Sequence, residues 1–375
     1  MNRTSTPKLV FAVLCFCGLF AFSATHAQSR NSSISSSTNG STSRYTSNSN
    51  NQKLNIESNG KVVIGNDEKS ISSISSGGYL KIEKTTFGNT RSIFISNSGN
   101  GLDYEYKEGR TKKPFDPDGR AWLAEILPEL LNTTTIASEE RVDRLYRKGG
   151  AKSVLDMIGN LGGDHVKTHY LGLLLQKNLK PSEITATIDK TISQVSSDHY
   201  QTEIYKKIKP FYFNDINQLR RVVESLQSDH FRAELLKPIF SEHTVGGEGQ
   251  KSIELINMLD SDHFKNEIAR TLDFGKLSDQ ELKFMVDELV PSIDSDHFKN
   301  ELLKTAINEG NMTENRSLII LSGVKDIDSD HFKAEILKYL CQKQGSEKVK
   351  AKIRETAKSE IHSSHFFGEV MRCAS

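Results

Sequence analysis

Apolar positions set the punctuation of this chain before any motif is read. From about residue 151 to the end they recur with helical spacing in blocks separated by polar or glycine-containing breaks. Within most blocks an apolar side chain falls one, five and nine places after a histidine, as in Phe264, Ile268 and Leu272, or Phe332, Ile336 and Leu340. A further one falls at six places, as in Leu236, Leu303 and Leu337. On a helix these positions cover an arc of roughly 140°, wide enough to pack against two neighbours. Residues 53–109 change period. Lys53 to Ser58, Lys61 to Gly65, Tyr79 to Thr85, Arg91 to Ser96 and Leu102 to Lys107 read as strands, punctuated by Asn59-Gly60, Gly77-Gly78 and Asn100-Gly101. They predict a small antiparallel sheet with one packed face. Between the two regions, Trp122, Leu123, Ile126, Leu127 and Leu130 predict a helix over 120–131 that docks on the sheet. A second helix is predicted from Ser138 to the Gly149-Gly150 pair.

The helical blocks are numbered by a tetrapeptide. Gly-Asp-His-Val surrounds His165, Ser-Asp-His-Tyr surrounds His199, Ser-Asp-His-Phe surrounds His230, His263, His297 and His331, and Ser-Ser-His-Phe ends the series at His365. Successive histidines are 34, 31, 33, 34, 34 and 34 residues apart. A fixed period of this size is the signature of stacked helix pairs. Each second helix is announced by polar starters, of which Ser278-Asp279-Gln280-Glu281 has the form of a capping box, with Ser182, Asn214 and Thr313 at comparable places. The expected fold is mainly α: a HEAT-like α-solenoid of about six helix pairs over 151–375 with a last capping helix. It is preceded by an antiparallel β domain over 53–117 and connecting helices over 118–150. The small-residue positions that tetratricopeptide repeats need for close helix crossing are absent.

Before residue 53 the pattern fails. Residues 28–52 are Ser, Asn and Thr almost throughout, with no apolar periodicity, and are expected to form a disordered linker. Residues 1–27 have the layout of a signal peptide: Arg3 and Lys8, an apolar run from Leu9 to Phe22, and Ala27 at the cleavage point. That run is shorter than the about 20 residues a membrane helix needs, so a soluble, exported protein, periplasmic or extracellular, is expected. Its removal takes the net charge from +1 to −1, which implies no general attraction to nucleic acid or a membrane surface. The mature chain keeps Cys341 and Cys373, too few for a disulfide framework. They lie on successive first helices, where a disulfide requires Cα atoms within about 6.8 Å while packed axes are about 8–10 Å apart, so a bond forms only if both face inward.

Candidate chemistry lies in the motif. Six copies pair the histidine with a carboxylate four places on: His199/Glu203, His230/Glu234, His263/Glu267, His297/Glu301, His331/Glu335 and His365/Glu369; in the first copy His169 replaces the glutamate. Such pairs share a helix face, and the chemical alternative is a metal-binding or hydrolytic protein that uses them. Repetition at one structural position favours structural pairs that tether each copy to the next. Ser and Asp before the histidine are suited to receive the orphan N–H groups of a helix start. No His-Glu-x-x-His, Gly-x-Ser-x-Gly, phosphate-binding glycine loop or Cys-x-x-Cys beyond the signal segment occurs, so no catalytic, cofactor or metal residue is assigned.

The run Trp122-Leu123-Ala124-Glu125-Ile126-Leu127-Pro128, then Glu140-Arg141-Val142-Asp143-Arg144-Leu145, Gly149-Gly150 and the Ser-Asp-His-Phe-x-x-Glu-Ile/Leu copies resemble the exported C-terminal extension of bacterial BlaR/MecR-like metallopeptidase proteins over about residues 53–375. In that group the zinc site lies in a separate membrane domain, which has no counterpart here. The resemblance implies an envelope module without peptidase activity. The expectation is a non-enzymatic scaffold that binds an envelope protein or a peptide.

Overall fold

The computed structural model describes residues 33–208, 215–242 and 249–375. The expected signal segment and His243 lie outside them. The chain is mostly helical, with an antiparallel sheet at its N-terminal end.

The sheet has seven strands in the order β1-β2-β3-β6-β7-β8-β9, all neighbours antiparallel. They are β1 (Ser33–Asn39), β2 (Thr42–Ser49), β3 (Gln52–Asn59), β6 (Tyr79–Thr86), β7 (Asn89–Asn97), β8 (Leu102–Glu108) and β9 (Thr111–Lys113). A separate hairpin, β4 (Val62–Ile64) and β5 (Ile71–Ile74), is inserted between β3 and β6. The register aligns Tyr45, Ile56, Ile82, Ile93 and Tyr106 in one cross-strand row, and all five are buried. Helix α1 (Arg120–Thr133) lays Trp122, Leu123, Ile126, Leu127 and Leu130 on that face, with the Trp122 ring 6.1 Å from Tyr106.

The linker expected over 28–52 is corrected here: most of it is β1 and β2. Its side chains are small and polar, but backbone pairing needs no apolar pattern. Within β2 Tyr45 alone is buried in the core. A β-strand whose neighbour supplies the ladder can be built from Ser and Thr, which hydropathy does not register.

Helix α2 (Ser138–Ile158) breaks in geometry at Gly149 (φ −157°, ψ 26°) and Gly150 (φ 64°, ψ −160°), where the sequence placed a stop. There follow α3 (Asp164–Leu174), α4 (Pro181–Gln194), α5 (Asp198–Lys207), α6 (Ile216–Ser225), α7 (Asp229–Glu242) and α8 (Gly249–Asn257). Next come α9 (Asp262–Ala269), α10 (Asp279–Phe284, running on as a π-turn to Leu289), α11 (Asp296–Glu309) and α12 (Glu314–Ser322). The last are α13 (Asp330–Lys343), α14 (Glu347–Glu360) and α15 (Ser364–Ala374). The odd-numbered helices from α3 onward carry the motif, and each packs on the next odd one; from α2 onward each even-numbered helix packs on the next even one. One continuous apolar core runs from Ile188 to Ala374.

Local signals behave unevenly. Ser278 and Glu281 form the expected capping box, and the Thr313 hydroxyl accepts from the Arg316 N–H. Ser182 does not cap α4; instead the Glu183 carboxylate accepts from the Lys180 N–H at 2.8 Å. Asn214 lies outside the described residues; α6 is capped by Asp215, which accepts from the N–H groups of Asn217 and Gln218. The sheet is tied to α1 by the ion pair Lys84–Glu129 at 2.6 Å, and the inserted hairpin region is tied to α2 by Lys61–Glu140 at 2.5 Å and by Arg141 with Arg144 on Glu68.

Candidate functional site

Each part of the motif has a separate task, and the tasks are not those the histidine–glutamate spacing suggested. The serine occupies the N-cap position but makes no side-chain cap bond at Ser197, Ser261, Ser295, Ser329 or Ser363. The aspartate instead reaches across to the next copy. Asp296 accepts from the Ser329 N–H at 2.7 Å and the Asp328 N–H at 3.1 Å. Asp164, Asp198, Asp229, Asp262 and Asp330 repeat the arrangement, each holding two successive N–H groups where the next motif helix begins. A carboxylate on two backbone donors is a charge-assisted clamp, stronger than a neutral hydrogen bond.

Two places after the histidine five copies carry a cation, buried at Lys265, Lys299 and Lys333 and half-buried at Lys167 and Arg232. The second copy instead has Gln201, whose amide donates to the Val195 carbonyl at 2.7 Å. Lys167, Lys265, Lys299 and Lys333 donate at 2.6–2.9 Å to the carbonyls of Gln194, Ser292, Asp326 and Glu360, at or just beyond the end of the second helix of the same copy. Arg232 does the same to Met258 at 3.1 Å. A cation there satisfies an orphan carbonyl and complements the negative end of the helix dipole. The glutamate faces backward. Glu234, Glu267, Glu301, Glu335 and Glu369 meet Lys206, Lys237, Arg270, Lys304 and Lys338 of the preceding copy at 2.5–3.4 Å. Glu301 and Glu335 also accept from Asn266 and Asn300 of the copy before. Burial works against the charged form of Glu335, but Asn300 and Lys304 outweigh it and hold its carboxyl below the ordinary range. Lys338 does the same for Glu369.

The terminal departures from the motif follow from this division. The last copy has Ser364 in place of aspartate and Phe367 in place of lysine, so it carries neither the clamp nor the cation of the earlier copies. The first copy has His169 in place of glutamate, because no motif copy precedes it.

The histidines are therefore not the tethers. His199, His297 and His365 have 60%, 60% and 71% of their side chains exposed, and their nitrogens stand 3.8, 3.9 and 3.4 Å from Glu203, Glu301 and Glu369. The first two distances exceed hydrogen bonding, and none of the pairs belongs to a wider ligand set: among the described residues no group of three or more His, Cys, Asp or Glu side chains converges as a metal site would require. Each ring instead lies against aromatic rings. From His199 to His365 every imidazole sits 5.1–5.4 Å from the aromatic ring of its own copy. From His199 to His331 it also sits 5.5–6.3 Å from that of the next: Phe231, Phe264, Phe298, Phe332 and Phe366. The ladder runs along the motif helices, with His165 and Tyr200 at its start, 6.1 Å apart.

At that start the sheet overhangs the helices. A cavity of about 590 Å³ lies between β1, β2, the end of α1 and the first turn of α3, lined by Ser37, Tyr45, Thr134, His165, Val166 and Tyr200. Gly163 stands here where later copies have serine, and its φ of 71° is a conformation that suits glycine. Beside the cavity, His169 Nε2 is 2.8 Å from the Ser138 hydroxyl, and burial, with His165 nearby, holds its pKa below the usual histidine value. Sequence reasoning missed this junction because its β walls had been assigned to a linker.

Cys341 and Cys373 are free thiols, the first buried and the second half-buried. Burial, reinforced by the neighbouring Cys373 thiol, pushes Cys341 up to about 12. The candidate disulfide is therefore absent, although the two side chains are adjacent. No protein-family profile matches this sequence, and comparison with curated proteins finds no significant match.

Proposed function

We propose that the helix pairs form a HEAT-like α-solenoid, and that the protein is an exported, non-enzymatic scaffold that binds a protein or peptide in the bacterial envelope. The observation that carries this reading is the division of labour in the motif. Aspartate, lysine and glutamate act between or within helix pairs, so the recurring chemistry of each copy is directed at neighbouring backbone and side chains rather than at a substrate. Stacked repeats of this kind present long surfaces, and six layers at about 8–10 Å each extend over about 50–60 Å. The exposed imidazoles have at most one carboxylate nearby, which weighs against the metal-binding or hydrolytic alternative. Among the described residues no helix is long and apolar enough to cross a membrane. Export rests on the layout of residues 1–27, and the resemblance to the extensions of BlaR/MecR-like proteins points to the same compartment.

The test is cross-linking of the tagged protein in its native host, followed by mass spectrometry of both the bait and its captured partners. The reading expects an intact mass that begins at Gln28 and a partner cross-linked to helices of the array. Retention of the full-length chain in the membrane overturns export. Stoichiometric metal, or hydrolysis that His297→Ala or Glu301→Ala abolishes, overturns the scaffold.

A further inference from the structure

The first motif copy is the one without an aromatic residue after its histidine. Six copies carry Tyr or Phe there; the first carries Val166. From His199 on, each imidazole has the ring of its own copy at 5.1–5.4 Å, whereas among the described residues His165 has only that of Tyr200, at 6.1 Å. The place where an aromatic side chain at residue 166 would begin lies on the wall of the 590 Å³ cavity, which Tyr45 also lines. That volume is in the range of ligand sites, and among the described residues its lining has rings, a valine and hydroxyls with no carboxylate, lysine or arginine.

The cavity is bounded on the sheet side by an edge strand. Among the described residues β1 pairs with β2 alone, so its outer edge receives no ladder bonds from any described strand. Edges are normally blunted by charge, proline, bulges or shortness. The opposite edge, β9, is three residues long with two lysines. By contrast β1 has seven residues, Ser-Ile-Ser-Ser-Ser-Thr-Asn, without charge or proline, and its register with β2 is unbroken.

We propose that this corner is a peptide-recognition site: an extended segment of a partner protein adds a strand to β1 and places a neutral aromatic side chain, Phe or Tyr, in the cavity beside His165, Val166 and Tyr45. The added backbone supplies the ladder bonds, and the cavity supplies side-chain selection. The inserted ring takes the place of the one the first copy lacks and extends the aromatic ladder by one step. A second copy of this chain fits less well as occupant, because β1 itself carries no aromatic residue to insert. This proposal rests on the scaffold reading and names its site.

The test uses the purified protein and the probe acetyl-Thr-Val-Phe-Val-Thr-amide, with the central Phe replaced by Ala, or alternate backbone nitrogens methylated, as controls. Binding is followed by NMR shift perturbation. Saturable shifts centred on Tyr45, Val166 and Tyr200 are expected, with affinity lower by about tenfold or more for the Ala control and for the methylated peptide. Val166→Phe, which installs the residue found in five other copies, should fill the cavity and weaken the probe by a similar factor. Lys325→Ala, an exposed position outside the cavity lining, should keep both fold and binding, while a general loss of structure in Val166→Phe is recognised from its spectrum and that variant replaced by Val166→Leu. No shifts at about 5 mM probe, equal affinity for the filled variant, or shifts elsewhere on the array would each overturn the site. The scaffold reading stands or falls separately, on the cross-linked partner.

Discussion

The clamp at Asp296 offers the most direct measure of what holds one helix pair to the next. Its carboxylate is 16% exposed and receives the Ser329 N–H at 2.7 Å, in a half-buried setting, and the Asp328 N–H at 3.1 Å, in an exposed one. A hydrogen bond to a charged group contributes about 1.5–3 kcal/mol, and a buried donor left unmet costs about 1–3 kcal/mol. The Ser329 bond should therefore account for about 2 kcal/mol, and the exposed Asp328 bond, whose N–H regains water, for about 0.5 kcal/mol. Asp296→Ala is expected to destabilise the array by about 2–3 kcal/mol, and Asp296→Asn, which keeps an acceptor without its charge, by about 1 kcal/mol. His297→Ala removes a largely exposed ring with edge contacts to Phe298 and Phe332 and should cost about 0.5 kcal/mol. Urea unfolding followed by circular dichroism gives the ordering. Because arrays depart from two-state behaviour, hydrogen exchange at the Ser329 amide gives the local value. A loss for His297→Ala equal to or greater than that for Asp296→Ala would refute the assignment and return the tether to the histidine.

The same logic extends to other positions. Ser364→Asp restores the motif residue where no next motif helix is present among the described residues and should change stability by less than about 0.5 kcal/mol in the same urea assay. Cys373 should alkylate with iodoacetamide at pH 8 well before Cys341, whose burial pushes its thiol up to about 12; equal rates by mass spectrometry would contradict the packing of α15 on α13. The carboxyls of Glu335 and Glu369 are held below their unfolded values, so their contribution is present above the unfolded carboxylate pKa and is lost as pH falls through the folded one. His169, also lowered, adds a loss that begins as pH falls below the unfolded histidine value. Melting temperature should therefore decline on acidification from pH 7 to 4, and His169→Asn should remove the part of the decline between pH 6.5 and the folded histidine value.

What the sequence by itself determined is the succession of helices and their order. The apolar spacing within each copy, the period of about 34 residues between histidines and the glycine pair at 149–150 are local or periodic signals. A helix closes its hydrogen bonds within itself, so such signals suffice for it. The strands β1 and β2 show the limit. Their backbone partners lie in other strands, and a Ser-rich stretch reveals its pairing only when the neighbouring ladder is in place. The motif shows a second limit. Spacing alone put histidine and glutamate together because both belong to one helix face. The partners that matter, such as Asp296 with Ser329, Lys299 with Asp326 and Glu335 with Lys304, lie 27 to 33 residues apart and meet through packing between helices. The cavity at the start of the ladder belongs to the tertiary structure for the same reason: Val166 is an ordinary helical residue until the sheet edge is folded over it.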